Sequence, residues 1–207
     1  MKYNITSKLW LLFLAGTMIA LSAKAQKTAL KVNGLYAATT TPNLQMEFAL
    51  GKKISLEIGG GINPFVLKRE QVSKIEGVEI ARESKLKHWL AQPELRYWPC
   101  EAFNGHFFGL HLHGAQFNLG GVDIPLGRLK QLKDERYQGY LYGAGISWGY
   151  QWVLSPRWNF EMSVGGGYAR VHYEKFPCTT CGNKLSEDDY NYFGVTKAAL
   201  SLIYFFK

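Results

Sequence analysis

After residue 25 this chain has no apolar run long enough to form a membrane helix. A spanning helix needs about 20 consecutive apolar residues, so helical membrane spans are not expected in the folded part. It has no Lys/Arg block either: 24 basic residues are scattered among 16 acidic ones. Nucleic acid is therefore not an expected partner. No cysteine follows Ala23-Lys24-Ala25, where a lipoprotein signal would carry one. Gly145-Ile146-Ser147-Trp148-Gly149 has G-x-S-x-G spacing, but Ser147 sits mid-strand in an alternating segment and not at the sharp strand-to-helix turn of a nucleophile elbow, so the usual setting of a serine nucleophile is missing. An amphipathic C-terminal helix is also missing, which weighs against a lipocalin-like binder.

What is there begins with an address. Lys2 and Lys8 precede an apolar run from Leu9 to Leu21, and Ala23-Lys24-Ala25 fits a small-x-small cleavage site. Residues 1–25 read as a secretory signal peptide, with Gln26 as the mature N-terminus. Residues 26–207 then form one domain. Lys2, Lys8 and Lys24 leave with the signal, so the charge falls from +8 to 21 − 16 = +5. The remainder is rich in Gly and aromatic residues. Two classes fit: a soluble all-β domain, or an outer-membrane β-barrel.

Period-2 alternation marks eight strand-like segments, near 28–36, 43–50, 54–65, 87–98, 106–119, 138–154, 157–173 and 192–206. In 138–154, Tyr140, Tyr142, Ala144, Ile146, Trp148, Tyr150 and Trp152 oppose a register of Gly139, Gly143, Gly145, Ser147, Gly149 and Gln151. So many interior glycines argue against a helix. Short turns at 50–53, 99–105 and 154–157 alternate with longer stretches at 66–86, 120–137 and 174–191. The first of those reads as a solvated charged loop, and the second has room for a short surface helix. The order matches an antiparallel up-and-down transmembrane barrel with short periplasmic turns and longer extracellular loops.

Aromatic residues gather near both ends of the segments. Tyr97, Trp98, Phe107, Phe108, Tyr150, Trp152, Trp158, Phe160, Tyr204 and Phe206 lie toward the short turns. Tyr36, Phe65, Tyr140, Tyr142, Tyr168, Tyr173 and Phe193 lie toward the longer connections. Two such groups fit two membrane interfaces. With the apolar register facing lipid, the other faces inward. It carries Lys31, Asn33, Gln45, Glu47, Glu57, Gln92, Glu94, Arg96, His111, His113, Ser147, Gln151, Glu161, Ser163, Lys197 and Ser201. An eight-stranded barrel is just wide enough for side chains. Opposite charges inside must pair, so the expectation is a polar plug. A soluble barrel with the faces reversed is the alternative.

The stretches HWLAQPELRYW, FNGHFFGLHLHG and GYQWVLSPRWN, with the ending NYFGVTKAALSLIYFF, resemble a Bacteroidetes family known only as domain of unknown function 3575. The resemblance covers nearly the whole mature chain. It implies a small outer-membrane barrel of the OmpX or OmpA-barrel type, and no reaction or catalytic residues. It also implies an association of some members with surface-fimbria systems. In outer-membrane barrels the terminal aromatic is usually the last residue; here Lys207 follows Phe206.

Candidate chemistry is sparse. Cys178 and Cys181, in C-x-x-C spacing, fit a local disulfide, shared metal binding or free thiols. A closed zinc site needs four ligands, and His172 would be only a third. Cys100 lies in a short turn at the opposite end. His111 and His113 share one strand face, a spacing that could hold a metal or, with Ser147, Glu94 or Glu161, assemble a hydrolase; hydrogen-bonded interior histidines are the plainer reading. Glu57, Glu94, Arg96, Glu161, Lys31 and Lys197 could line an ion path, but paired structural charges fit better.

The reading is a monomeric eight-stranded barrel in the outer membrane of a Gram-negative bacterium, non-enzymatic, with a structural, adhesive or surface-assembly accessory role. Its expected partners are outer-membrane lipid, the barrel-assembly machinery, and a surface-fimbria or other envelope protein. No cofactor is expected, zinc at Cys178 and Cys181 being the exception left open. The alternatives are an outer-membrane enzyme acting on lipid or peptide, and a soluble lipocalin-like periplasmic binder.

Overall fold

The structure, a computed structural model, describes residues 28–64, 66–75, 78–121, 136–177 and 183–206, with side chains for all of these except 66–85. The signal-peptide segment, Phe65, Cys178, Cys181 and the core of the helix anticipated within 120–137 lie outside the described residues. The elements are β1 (Thr28–Asn33), a short α1 (Gly34–Ala38), β2 (Asn43–Ala49), β3 (Ile54–Asn63), β4 (Val66–Ile75) and β5 (Val78–Ala91). They continue with β6 (Glu94–Tyr97), β7 (Gly105–Gly120), β8 (Arg136–Val153), β9 (Trp158–Phe176) and β10 (Ser186–Phe206).

These strands build eight staves. Pro93 has no N–H to give the ladder, so it separates β5 from β6 without moving the register. Gly60 faces Ala91, and Glu57 faces Glu94. The Leu112 N–H still reaches the Pro93 carbonyl, at 3.0 Å. β3 and β4, parted at Pro64, likewise form one stave. All neighbours are antiparallel, and β1 pairs with β10 from Thr28↔Phe206 to Asn33↔Ser201. The sheet closes on itself at that seam, which leaves no open edge there.

The expected charged loop at 66–86 is corrected here. β4 and β5 pair as an antiparallel ribbon from Val66↔Lys85 to Ile75↔Val78. A ribbon standing beyond a barrel rim needs no apolar face, so its mixed charges hid a strand. Its β-branched residues Val66, Val72, Ile75, Val78 and Ile80 suit extended backbone. β9 and β10 also run further than expected, pairing out to Lys175↔Ser186.

The first hairpin is the low side of the wall. β1 stops at Asn33, whose side chain finishes the seam. Its Oδ1 accepts from the N–H groups of Leu35 (3.0 Å) and Leu200 (3.2 Å), while its Nδ2 donates to the Ala198 carbonyl (3.1 Å). An asparagine side chain thus replaces the next rung of the ladder.

The two faces separate by chemistry. Outside, an apolar belt includes Ile58, Ile62, Leu110, Leu112, Val164 and Ile146, the last of them 71% exposed. Inside, the buried apolar cluster of the described residues lies at the short-turn end, where Trp98, Phe103, Phe107, Ala29 and Ile203 pack. This corrects the assignment of Trp98 and Phe107 to an outer belt. Both are fully buried and stack within the lumen at 4.9 Å between ring centroids. Their own strands explain it: Trp98 and Phe107 share the inward register with Arg96 and His111. Gly149 makes room for them. A Cβ there would collide with the Phe107 ring and lie 2.8 Å from the Met162 carbonyl oxygen. Gly149→Ala is therefore expected to destabilise the barrel by about 1–3 kcal/mol through overpacking, read as a lower urea midpoint. An unchanged midpoint would mean that the aromatic floor is loosely packed.

Candidate functional site

Above the aromatic floor the lumen is filled by ions. Lys31, Glu47, Glu57, Glu94, Arg96, Glu161 and Lys197 are all essentially inaccessible to solvent. They come from six staves. Each points inward because it sits on the register opposite the apolar belt, with Lys31 between Leu30 and Val32, and Glu161 between Phe160 and Met162.

Arg96 is the hub. Its Nε donates to Glu94 Oε2 at 2.6 Å, and Nη1 donates to Glu47 Oε2 at 3.0 Å and Glu161 Oε2 at 2.8 Å. Nη2 donates to Glu161 Oε1 at 3.0 Å and lies 2.7 Å from Glu57 Oε2. The planar guanidinium suits this fork-like contact with several carboxylates. Lys31 Nζ reaches Glu57 Oε2 at 3.0 Å and Glu161 Oε2 at 2.6 Å, and also contacts Glu47. Lys197 Nζ bridges Glu57 Oε1 at 3.0 Å and Glu94 Oε2 at 2.7 Å.

Hydroxyl and aromatic groups fasten the network at its edges. Ser55 donates to Glu47 and receives the Trp98 indole N–H at 2.8 Å. Ser147 donates to Glu94. The Arg96 guanidinium carbon stands 4.2 Å from the centre of the Phe107 ring, a cation–π contact joining plug to floor. Gly109 creates space for the Glu94–Ser147 pair, since a Cβ there would overlap both.

The arrangement limits the chemistry. Glu47, Glu57 and Glu161 converge closely enough to chelate a cation, but Lys31 and Arg96 already contact all three. The Ser147 hydroxyl is bonded to Glu94 and not to an imidazole, so a Ser–His pair is not formed. His111 is buried, with Nε2 2.9 Å from Thr196 Oγ1. His113, the next inward residue of β7, is half-buried.

The seven lumen candidates expected from the sequence, Glu57, Glu94, Arg96, His111, His113, Glu161 and Lys197, thus line one interior. Lys31, expected among the paired charges, and Glu47, expected only to face inward, prove central. Thr196 was hidden by a bulge between Val195 and Lys197 in β10, which turns two consecutive side chains toward the lumen. Cys100 is exposed and free in the turn between β6 and β7. At the far rim, Arg170 Nη2 donates to Asp189 Oδ2 at 2.7 Å, and His172 Nδ1 lies 2.9 Å from Asp189 Oδ1. These bonds, the arginine's first, hold the Asp189 carboxyl below its ordinary range.

Fold and interior together define a small closed antiparallel barrel whose lower lumen is a solid ionic plug. The chain belongs to the family described as "Protein of unknown function (DUF3575)", whose model matches residues 9–206. No curated protein matches it.

Proposed function

We propose that this protein is a non-enzymatic outer-membrane barrel with a structural, adhesive or surface-assembly role, exported by its N-terminal signal. One observation carries the reading: the faces are inverted relative to a water-soluble barrel. Seven ionic side chains are sealed inside, while Ile146, Leu110, Leu112, Ile62 and their neighbours form an exposed apolar belt around the wall. In water such a belt would be a large unpaired patch; against lipid it is the expected outer surface. Tyr140, Tyr142 and Phe193 toward one end, and Trp148, Trp152 and Trp158 toward the other, suit two interfaces. A lower lumen filled by ion pairs leaves no open pore, so interaction falls to the outer hairpins β4–β5 and β9–β10.

Fractionation tests this directly. The protein is expected in the outer-membrane fraction, resisting carbonate extraction and showing heat-modifiable migration in SDS gels. Recovery in the soluble periplasm without detergent rejects it. Orientation has its own test in a Cys178→Ser/Cys181→Ser background. A membrane-impermeant maleimide is expected to leave Cys100 unlabelled on intact cells and to label it after the outer membrane is permeabilised. Labelling on intact cells would reverse the orientation.

A further inference from the structure

The lumen changes character above the plug. Along the inward register of β7, Phe107, Gly109 and His111 are buried, whereas His113, Ala115, Phe117 and Leu119 are partly accessible. The barrel is therefore sealed below His111 and opens into a vestibule above it. The two histidines stand at that boundary, their rings 5.6 Å apart between centroids and inclined at 39°.

Three of their four ring nitrogens, His111 Nδ1 and both nitrogens of His113, are buried without a hydrogen-bonding partner among the described residues. Glu94 Oε1 is 3.9 Å from His111 Nδ1, beyond hydrogen-bonding distance. Buried polar atoms normally find partners, so three in one place point to something outside the chain.

The surroundings select its charge. The buried ionic groups comprise four carboxylates (Glu47, Glu57, Glu94, Glu161) and three cations (Lys31, Arg96, Lys197). Fully ionised, they sum to 3 − 4 = −1 among the described residues. Glu94, the carboxylate nearest the imidazoles, sits at the edge of that set. A cation at the histidines would offset that negative excess, a divalent ion taking the sum to −1 + 2 = +1, whereas an anion would deepen it. The donor atoms select the element: imidazole nitrogens favour zinc, copper or nickel over magnesium or calcium.

We propose that His111 and His113 form a binding site for a divalent transition-metal ion at the base of the outer vestibule. A proton on His111 Nε2, donated to Thr196, leaves Nδ1 with a free lone pair and fixes the ring. His113, whose ring has no hydrogen bond among the described residues, rotates to supply the second nitrogen. Water from the vestibule completes the coordination, and Glu94 is placed to accept a hydrogen bond from one such water. The adjacent strand β8, where Gly145 pairs with His111 and Gly143 with His113, is cleared for the rings. A Cβ on Gly143 would stand 2.7 Å from His113 Nε2, and one on Gly145 2.7 Å from His111 Nε2. The site does not depend on where the barrel resides.

The test uses the mature chain refolded in detergent micelles, with Cys100, Cys178 and Cys181 replaced by Ser to remove competing thiols. Cu²⁺ is titrated and followed by electron paramagnetic resonance. One saturable ion with two imidazole nitrogens is expected. His113→Asn is expected to weaken binding by at least the about 10–100-fold that loss of an orienting partner alone costs, while His172→Asn leaves it unchanged. A second readout needs no variant: in ¹⁵N-histidine-labelled protein, Zn²⁺ is expected to shift the ring nitrogens of both His111 and His113. Absence of saturable binding, unchanged affinity in His113→Asn, or unshifted nitrogens on those two rings would each overturn the site.

Discussion

Arg96→Met is expected to lower the unfolding free energy by about 3–5 kcal/mol, the range for breaking a buried ion pair by removing one partner. Arg96 contacts Glu47, Glu57, Glu94 and Glu161 at once. Without it, Lys31 and Lys197 remain against four carboxylates, and the interior imbalance grows from −1 to −2. Coulomb repulsion is weakly screened there, so some carboxylates must take up protons or water must enter the lumen. Lysine does not restore the site, because an ammonium lacks the planar fork that spans four partners. Glu161→Gln is the informative contrast. It also breaks contacts with Arg96 and Lys31, yet it removes the surplus negative charge, so its cost is expected to be smaller. Urea unfolding of the refolded barrel, followed by tryptophan fluorescence, measures both. Equal losses for the two variants would show that pairing geometry, not charge balance, governs the plug.

That plug was legible in the sequence because two strong signals coincided. Strict alternation assigned Lys31, Glu57, Glu94, Arg96, Glu161 and Lys197 to one face, and their chemistry forbade leaving them unpaired. The register GAGISWGYQW showed its small side from the spacing of Gly143, Gly145, Ser147 and Gly149. What alternation could not show was depth. Trp98 and Phe107 follow the inward register as faithfully as Arg96 does, but an aromatic residue near a strand end fits a membrane interface equally well. Only the closed barrel shows that the short-turn end of the lumen needs a dry floor. Thr196 escaped because a bulge breaks period 2 locally. The β4–β5 ribbon escaped because its sequence mixes charges without sustained hydrophobic alternation, and such a stretch reads like a loop.

The outer face yields the second large effect. Ile146→Arg is expected to cost about 2–4 kcal/mol when the protein folds into lipid vesicles, the range for a cation at the bilayer midplane on a barrel's lipid face. Ile146 lies midway between Tyr142 and Tyr150 along β8 and is among the most exposed apolar residues of the wall. Its neighbours Gly145 and Ser147 face the lumen, so the substitution leaves the plug untouched. Tyr140→Arg, two positions beyond Tyr142 toward the outer end, is expected to cost only about 0–1 kcal/mol, because there the side chain reaches the headgroup level. The difference between the two positions carries the meaning. In water both substitutions replace an exposed residue on a strand surface, and such changes usually stay within about 0.5 kcal/mol. A steep dependence on position along β8 requires a low-dielectric slab around the barrel's waist. A flat one, measured by the same refolding equilibrium, removes the lipid-facing assignment of the whole apolar register, including Leu200 and Leu202 on the closing strand.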